Sequence, residues 1–248
     1  AFVRRQARIP NPLMPLRLFR SANVAGANVV QALLVVGMFG MFFLGAPYLQ
    51  RILGYDALEV GLAFLPATIV MGTASLRFSG PLNMRFGPKA TLIPALVSIG
   101  AGLLLFVRTP VDGSYVSDIL PAMVLIGLGA GLGFPALMML AMSGATPTDS
   151  GLASGLVNTS VQVGGAIGLA VLATLATERT NGLLADGRTT ADALNAGFHL
   201  AYLIGAVLVV VAIALALAVL RSGAPATAGN PGHADHAPAR LEPACEAG

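Results

Sequence analysis

The sequence predicts an all-α membrane protein in which six apolar helices cross a lipid bilayer. Of its 248 residues, 56% are hydrophobic and only 10% are charged, and the mean hydropathy is +0.80. Soluble domains carry about 25% charged residues, so this chain lacks the polar side chains that a water-facing surface needs. Its apolar residues form long runs instead of alternating with polar ones, which favours membrane-spanning helices.

Six segments each approach the length of about 20 apolar residues that a helix needs to cross a bilayer. No charged residue lies near the middle of any of them, and Arg77 stands at the end of the second, where its long side chain can reach the membrane surface. The predicted spans are Val24–Leu49, Leu58–Phe78, Ala90–Val107, Ile119–Met142, Leu152–Ala176 and Phe198–Leu220.

The charges between the spans predict the orientation of the protein. With the N-terminus inside, the inner segments carry ten Lys and Arg residues, and the outer segments carry four that are mixed with acidic residues. Inner loops of membrane proteins are enriched in Lys and Arg. We therefore expect a multi-pass protein of the plasma or inner membrane with both termini in the cytoplasm.

The ends of the chain differ in composition from its middle. We expect residues 1–22 to form a cytoplasmic linker, residues 23–221 the six-helix bundle, and residues 222–248, rich in Ala, Gly and Pro, a disordered cytoplasmic tail. His233, Asp235 and His236 in this tail are interpreted as solvated residues and not as a metal site, and we expect no cofactor. The scattered basic residues predict no nucleic-acid surface. Because the chain begins with Ala, we expect it to be part of a longer protein.

Polar side chains on the first span share one helical face with larger apolar ones. Asn28 and Gln31 are followed at helical spacing by Met38 and Phe42. Met and Phe surfaces adapt to many ligand shapes, so this face is a candidate lining for a cavity that accepts bulky amphipathic molecules. Ordinary helix packing through amide hydrogen bonds remains an equal alternative.

Small residues recur on the fifth and fourth spans. Gly151, Gly155, Asn158, Gln162 and Gly165 follow one another at intervals of three or four residues. This spacing is typical of a seam where another helix approaches closely, and the two amides are also candidates for a polar route.

The fourth span contains GLGAGLGFPA, in which Gly127, Gly131 and Pro135 predict close packing and a bendable helix. Pro66 in the second span is expected to act in the same way. The segment GPLNMRFGPK, from Gly80 to Lys89, predicts a tight turn that Arg85 and Lys89 hold at the cytoplasmic surface.

Four stretches together resemble the major facilitator superfamily, in particular its fourteen-helix drug:proton antiporter branch. The resemblance extends from about Pro10 to Leu220, in the expected order. The stretches are PLMPLRLFR, YLQRILGYDALEVGLAFLP, GLGAGLGFPA and GLASGLVNTSVQVGGAIGLAV.

The resemblance implies that the six spans are the C-terminal bundle, composed of two inverted three-helix repeats. It places the first and fourth spans at the central cavity, which adds Phe134 and Met138 as candidate lining residues. The second and fifth spans would face the N-terminal bundle, and the third and sixth would face lipid. Residues 80–89 resemble the family's cytoplasmic gating loop and retain Gly80, Arg85, Gly87 and Lys89.

Two positions depart from the family pattern. Met84 occupies the usual acidic position of the gating loop, and Val161 stands where relatives often have Arg. A charge-paired gate is therefore not expected at this loop, and a possible substrate or proton contact is missing from the fifth span.

These features predict a proton-coupled efflux transporter, not an enzyme, that exports hydrophobic drugs or secondary metabolites by alternating access. Its expected partners are the lipid bilayer, a small hydrophobic substrate, protons and the missing N-terminal half, which would carry the proton-binding carboxylate. Two alternatives remain open: a transporter of the same superfamily for a sugar, amino acid or peptide, and a truncated half that does not transport.

Overall fold

The computed structural model of the chain describes residues 21–143 and 150–220. The predicted linker up to residue 20 and the predicted tail, with His233, Asp235 and His236, lie outside these residues. The described secondary structure is helical throughout, and its six long helices are each apolar enough to cross a membrane, which confirms the predicted fold class. They are α1 Ala22–Arg51, α2 Ala57–Phe86, α3 Pro88–Phe106, α4 Tyr115–Met142, α5 Ser150–Ala185 and α6 Thr190–Val219.

Side-chain caps fix where two of the helices begin. The Asp56 carboxylate accepts a hydrogen bond from the Glu59 backbone N–H at 2.7 Å, and the Glu59 carboxylate accepts one from the Asp56 N–H at 2.9 Å. This reciprocal pair satisfies two backbone donors at the start of α2. Thr189 caps α6 by accepting from the Asp192 N–H at 3.2 Å. The cap explains why α6 begins at Thr190, two turns before the predicted start at Phe198.

The tight turn predicted over residues 80–89 is confined to one residue. Gly80–Phe86 is helical and continues α2, so that Gly87, with φ +85°, is the only non-helical residue between α2 and α3. A π-helical segment, Ala74–Ser79, precedes Pro81. The change of hydrogen-bond register in a π-helix accommodates a residue that has no N–H to donate. The helix therefore passes through the proline and ends at the glycine.

The helices pack in a pattern that is partly repeated between the two halves of the chain. α1 packs against α5 and α6, as α4 packs against α2 and α3, and α3 packs against α6. Exchanging α1–α3 for α4–α6 preserves these pairs, as expected for two inverted three-helix repeats. The repetition is incomplete, because α5 also packs along α6.

Glycines let α4 approach the backbones of two neighbouring helices. A Cβ atom at Gly127 would lie 2.5 Å from the Ala67 carbonyl oxygen on α2, and one at Gly131 would collide with the Met71 carbonyl oxygen. Gly129, on another face of α4, lies equally close to the Ala95 carbonyl oxygen on α3. Only residues without side chains permit helix axes to come this close. The GLGAGLG segment therefore wedges α4 between α2 and α3.

A polar cluster ties the connection between α3 and α4 to two other helices. The Thr109 carbonyl oxygen accepts hydrogen bonds from Asn195 Nδ2 at 3.1 Å and from His199 Nε2 at 2.8 Å, both on α6. The Tyr48 hydroxyl on α1 donates to the Pro110 carbonyl oxygen at 2.8 Å. Buried carbonyl groups need such partners, so this cluster fixes one end of the bundle.

Candidate translocation surface

Two helices leave most of their surface uncovered by the rest of the chain. Only 22% of the most apolar stretch of α2 and 17% of that of α5 is buried, against 61% for α1 and 56% for α4. α1 and α4 thus form the centre of the bundle, whereas α2 and α5 stand at its edge. The resemblance assigns these two edge helices to the interface with another bundle.

The exposed side of α5 carries a row of polar and small residues. They recur every four residues over residues 158–178 of the helix, and all are exposed. Successive members lie about 40° apart around the helix axis, so the row winds around α5. The twenty-residue separation of its ends corresponds to a length of about 30 Å, the thickness of the hydrocarbon core. We call this the polar stripe; it consists of Asn158, Gln162, Ala166, Ala170, Thr174 and Glu178.

An aliphatic stripe winds beside the polar stripe on the exposed side of α5. It contains Val163, Ile167, Val171 and Leu175, all exposed. The two stripes make the exposed side of α5 amphipathic. On α2, large aliphatic side chains are also exposed, among them Leu58, Leu62, Leu65 and Ile69.

Asn28 and Gln31 lie inside the bundle. Asn28 Nδ2 donates to the Val24 carbonyl oxygen at 2.8 Å, and its Oδ1 accepts from the Ser160 hydroxyl on α5 at 2.9 Å. Gln31 is 4% exposed, and its Oε1 has no hydrogen-bond partner in the described part of the chain. The structure thus uses Asn28 to join α1 to α5 and leaves Gln31 with an unsatisfied acceptor. A contribution of either residue to a substrate cavity stays a prediction.

Met38 and Phe42 come together where α1, α2 and α4 meet. They line a cavity of about 20 Å³ with residues such as Met71 and Gly127, which is room for one water molecule and not for a drug. The Phe42 ring packs on Phe64 of α2 at a centroid distance of 5.3 Å. Farther along α4, Phe134 is half-buried and Met138 is exposed.

The structure separates the glycines of the predicted seam on α5 into two groups. A Cβ atom at Gly165 would lie 2.6 Å from the Phe39 ring of α1, so this glycine packs within the bundle. A Cβ atom at Gly151 or Gly155 would meet no other atom of the described residues within 4 Å. A packing role for these two glycines against another protein surface stays a prediction. Gly164 and Gly168, which the spacing argument left out, also pack on α1, against Ala32 and Val36.

The gating-loop residues lie at one end of the bundle. Lys89 Nζ donates to the carbonyl oxygens of Leu217 at 3.0 Å and Leu220 at 2.5 Å, which caps the C-terminus of α6. Arg85 is exposed, with its guanidinium 5.3 Å from the centroid of the Phe86 ring. Gly80 is an exposed helical residue and not part of a turn.

The two prolines of the predicted hinges lie in different environments. Pro66 lines an open pocket of about 380 Å³ with Tyr55, Glu59 and Tyr115, at the end of the bundle opposite Lys89. Pro135 is half-buried inside α4. Both helices continue through their prolines. Bending at either position stays a prediction.

The four-residue spacing in the sequence would also have predicted the remaining members of the polar stripe. Asn158 and Gln162 were candidates, but Thr174 and Glu178 were not. Counting in steps of four from Asn158 reaches both, although each step moves about 40° around the helix axis, so that the five steps to Glu178 add about half a turn. The predicted span ended at Ala176, two residues before Glu178, whereas the helix continues to Ala185.

Comparison with known proteins identifies the family. Residues 2–169 match the Major Facilitator Superfamily. The chain is 33% identical over 248 residues to a puromycin resistance protein of Streptomyces alboniger, covering 97% of this chain and 49% of that protein. It is 39% identical over 188 residues to a cephamycin export protein of Amycolatopsis lactamdurans, covering 75% of this chain and 38% of that protein.

A tetracenomycin C resistance and export protein of Streptomyces glaucescens is 31% identical over 186 residues, covering 75% of this chain and 34% of that protein. The chain therefore spans half or less of the length of these relatives. The extent of the family match, the identity to these proteins and the six-helix fold agree. The chain belongs to the Major Facilitator Superfamily.

Proposed function

We propose that this chain is the C-terminal bundle of an efflux transporter that exports small hydrophobic compounds from the cell in exchange for protons. The relatives named above are antibiotic resistance and export proteins, which supports export and a location in the cell membrane. The distribution of Lys and Arg supports cytoplasmic termini.

The polar stripe of α5 is the observation that carries this proposal. Polar and ionisable side chains facing lipid are costly, and in membrane proteins they face a water-filled cavity or another helix. The polar groups at the two ends of the stripe, with small alanines between them, therefore suit a hydrated route between two bundles better than a surface that faces lipid. The adjacent aliphatic stripe suits contact with a second bundle. Both requirements are met if α5 lies at the edge of the route between two bundles.

The second bundle would come from the remainder of a full-length transporter. The chain spans about half the length of its relatives, and α2 and α5 leave apolar side chains uncovered. The predicted spans carry no Asp or Glu except Glu59, which belongs to the cap at the start of α2, so the proton-binding carboxylate is assigned to that other half. Rocking of the two bundles would then open the route alternately to either side.

Cysteine accessibility in the full-length protein tests the position of the polar stripe. In a cysteine-free background, single cysteines replace Asn158, Gln162, Ala166, Ala170 or Thr174 and are treated with a membrane-impermeant thiol reagent. Matched controls replace Val163, Ile167 or Val171 on the aliphatic stripe of the same helix. We expect labelling of the polar stripe, and protection of it by a transported compound. Equal labelling of both stripes, or of neither, contradicts a hydrated route along α5.

An efflux assay tests the activity itself. Cells that produce the full-length protein are expected to tolerate lipophilic antibiotics better than cells without it, and to extrude a fluorescent lipophilic compound. An uncoupler that collapses the proton gradient should abolish both effects. Efflux that persists without the gradient would contradict proton coupling, and the absence of efflux for all compounds tried would contradict the export function.

A further inference from the structure

A second pocket, of about 400 Å³, opens where α1, α5 and α6 meet, at the end of the bundle opposite Lys89. Its deeper wall is apolar and includes Phe43, Ala173, Leu194 and Phe198. Its rim is polar, with Arg51 from the last turn of α1 and with Thr177 and Asn181 from α5. We call it the α1–α5–α6 pocket.

The polar groups at the rim are not used by the fold. The guanidinium of Arg51, the hydroxyl of Thr177 and the amide of Asn181 make no hydrogen bond or ion pair with any residue in 21–143 or 150–220. Thr177 and Asn181 are four residues apart and therefore lie on one face of α5. Three helix-borne groups able to donate hydrogen bonds thus surround the entrance with their donors free.

The depth of the pocket matches the layering of a membrane. Arg51 lies eight residues beyond Phe43 on α1, which corresponds to about 12 Å along the helix axis. A charged group at the helix end reaches the headgroup region, while a ring two turns deeper lies in the hydrocarbon. The pocket is therefore polar at headgroup level and apolar at acyl-chain level.

We propose that the α1–α5–α6 pocket binds a phospholipid with an anionic headgroup, in the leaflet at the Arg51 end of the helices. The phosphate would accept hydrogen bonds from Arg51, Thr177 and Asn181, since a guanidinium pairs with phosphate in a bidentate manner. An acyl chain would follow the apolar wall past Ala173 and Phe198. Basic pockets between transmembrane helices bind anionic lipid headgroups by this chemistry.

Acidic residues that lie close in sequence to the lining residues do not themselves line the pocket. Asp192 accepts a hydrogen bond from the Thr189 hydroxyl at 2.8 Å as part of the α6 cap. Glu178 lies on the polar stripe and is not among the lining residues. Arg51 is therefore the only ionisable residue that the structure places in the described lining of the pocket.

Lipid binding to the delipidated full-length protein tests the proposal without any transport measurement. Native mass spectrometry counts bound phosphatidylglycerol and phosphatidylcholine, and thermal unfolding is followed with each lipid. We expect phosphatidylglycerol to bind several-fold better and to raise the Tm. Arg51→Gln should remove this preference, whereas Arg179→Gln, a matched control on α5 outside the pocket, should retain it. An equal loss in both variants, or no preference in the wild type, would overturn the proposal.

A second variant tests the apolar wall independently of charge. Ala173→Leu fills the space expected for the acyl chain and should weaken phosphatidylglycerol binding several-fold while Arg51 is intact. Unchanged binding in this variant would overturn the assigned position of the chain. Inorganic phosphate and decanoate are added in separate arms. Stabilisation by either one as strong as that by phosphatidylglycerol would show a site for a free anion and contradict the lipid assignment.

Discussion

The close approach of α4 to the backbone of α2 gives a sharp test of the packing of the bundle. Replacing Gly127 by Ala adds one methyl group that would lie 2.5 Å from the Ala67 carbonyl oxygen, where ordinary contacts begin at 3.4 Å. α2 and α4 must then separate by about 0.9 Å, the difference between these two distances. The obstructing atom belongs to the backbone and cannot rotate away, so we expect an overpacking cost of about 1–3 kcal/mol.

The matched control is Gly182→Ala on α5, where an added Cβ meets nothing within 4 Å of the described chain. Both substitutions raise helix propensity by a similar amount, about 1 kcal/mol, so this gain cancels when the variants are compared. We expect Gly127→Ala to melt several degrees below Gly182→Ala when heated full-length protein is assayed by size-exclusion chromatography with fluorescence detection. A Tm for Gly127→Ala equal to or above that of the control would refute the proposed close contact.

Three further predictions concern polar side chains whose hydrogen bonds hold helices or connections in place, and each is measured as a change in Tm or in the free energy of unfolding. Ser160→Ala removes the hydrogen bond to Asn28 between α5 and α1 and should destabilise the protein by about 1 kcal/mol. The control Thr159→Ala, whose hydroxyl bonds only to its own helix, should have a smaller effect. Equal losses in the two variants would argue against the interhelical bond. Lys89→Gln should cost about 0.5–1 kcal/mol by removing the charged cap of α6, and a neutral result would mean that water replaces it. Tyr48→Phe deletes the donor to Pro110 and should cost about 1 kcal/mol, whereas unchanged stability would show that this connection is not held by Tyr48.

Much of the fold follows from the sequence because hydrophobic length is a strong physical constraint. Six apolar runs predicted six spanning helices, and all six are present in the structure. The ends of the helices were harder to predict from the sequence, since they depend on individual caps and on hydrogen-bond register. The Thr189 cap extends α6 toward its N-terminus, and the π-helical segment before Pro81 lets α2 continue to Phe86.

The candidate site was only partly predictable for a different reason. Periodicity shows which residues share a face, but not which neighbour that face meets. Asn28 and Asn158 were both candidates for contact with a substrate or a polar route. In the structure, Asn28 bonds to Ser160 inside the bundle, whereas Asn158 is exposed. The glycines show the same limit, because Gly165 packs on α1 and Gly155 has no neighbour in the described chain.

The junction at Gly87 has a consequence for the evolution of the family. α2 and α3 are separated by one non-helical residue, so there is no slack to absorb a change in chain length. Inserting or deleting one residue in the helical segment just before Gly87 would rotate the following helix by about 100° relative to α2. The apolar face that α3 turns toward α4 would then point elsewhere. Related proteins should therefore keep the length of this junction constant, whereas the longer connection between α3 and α4 has room for insertions.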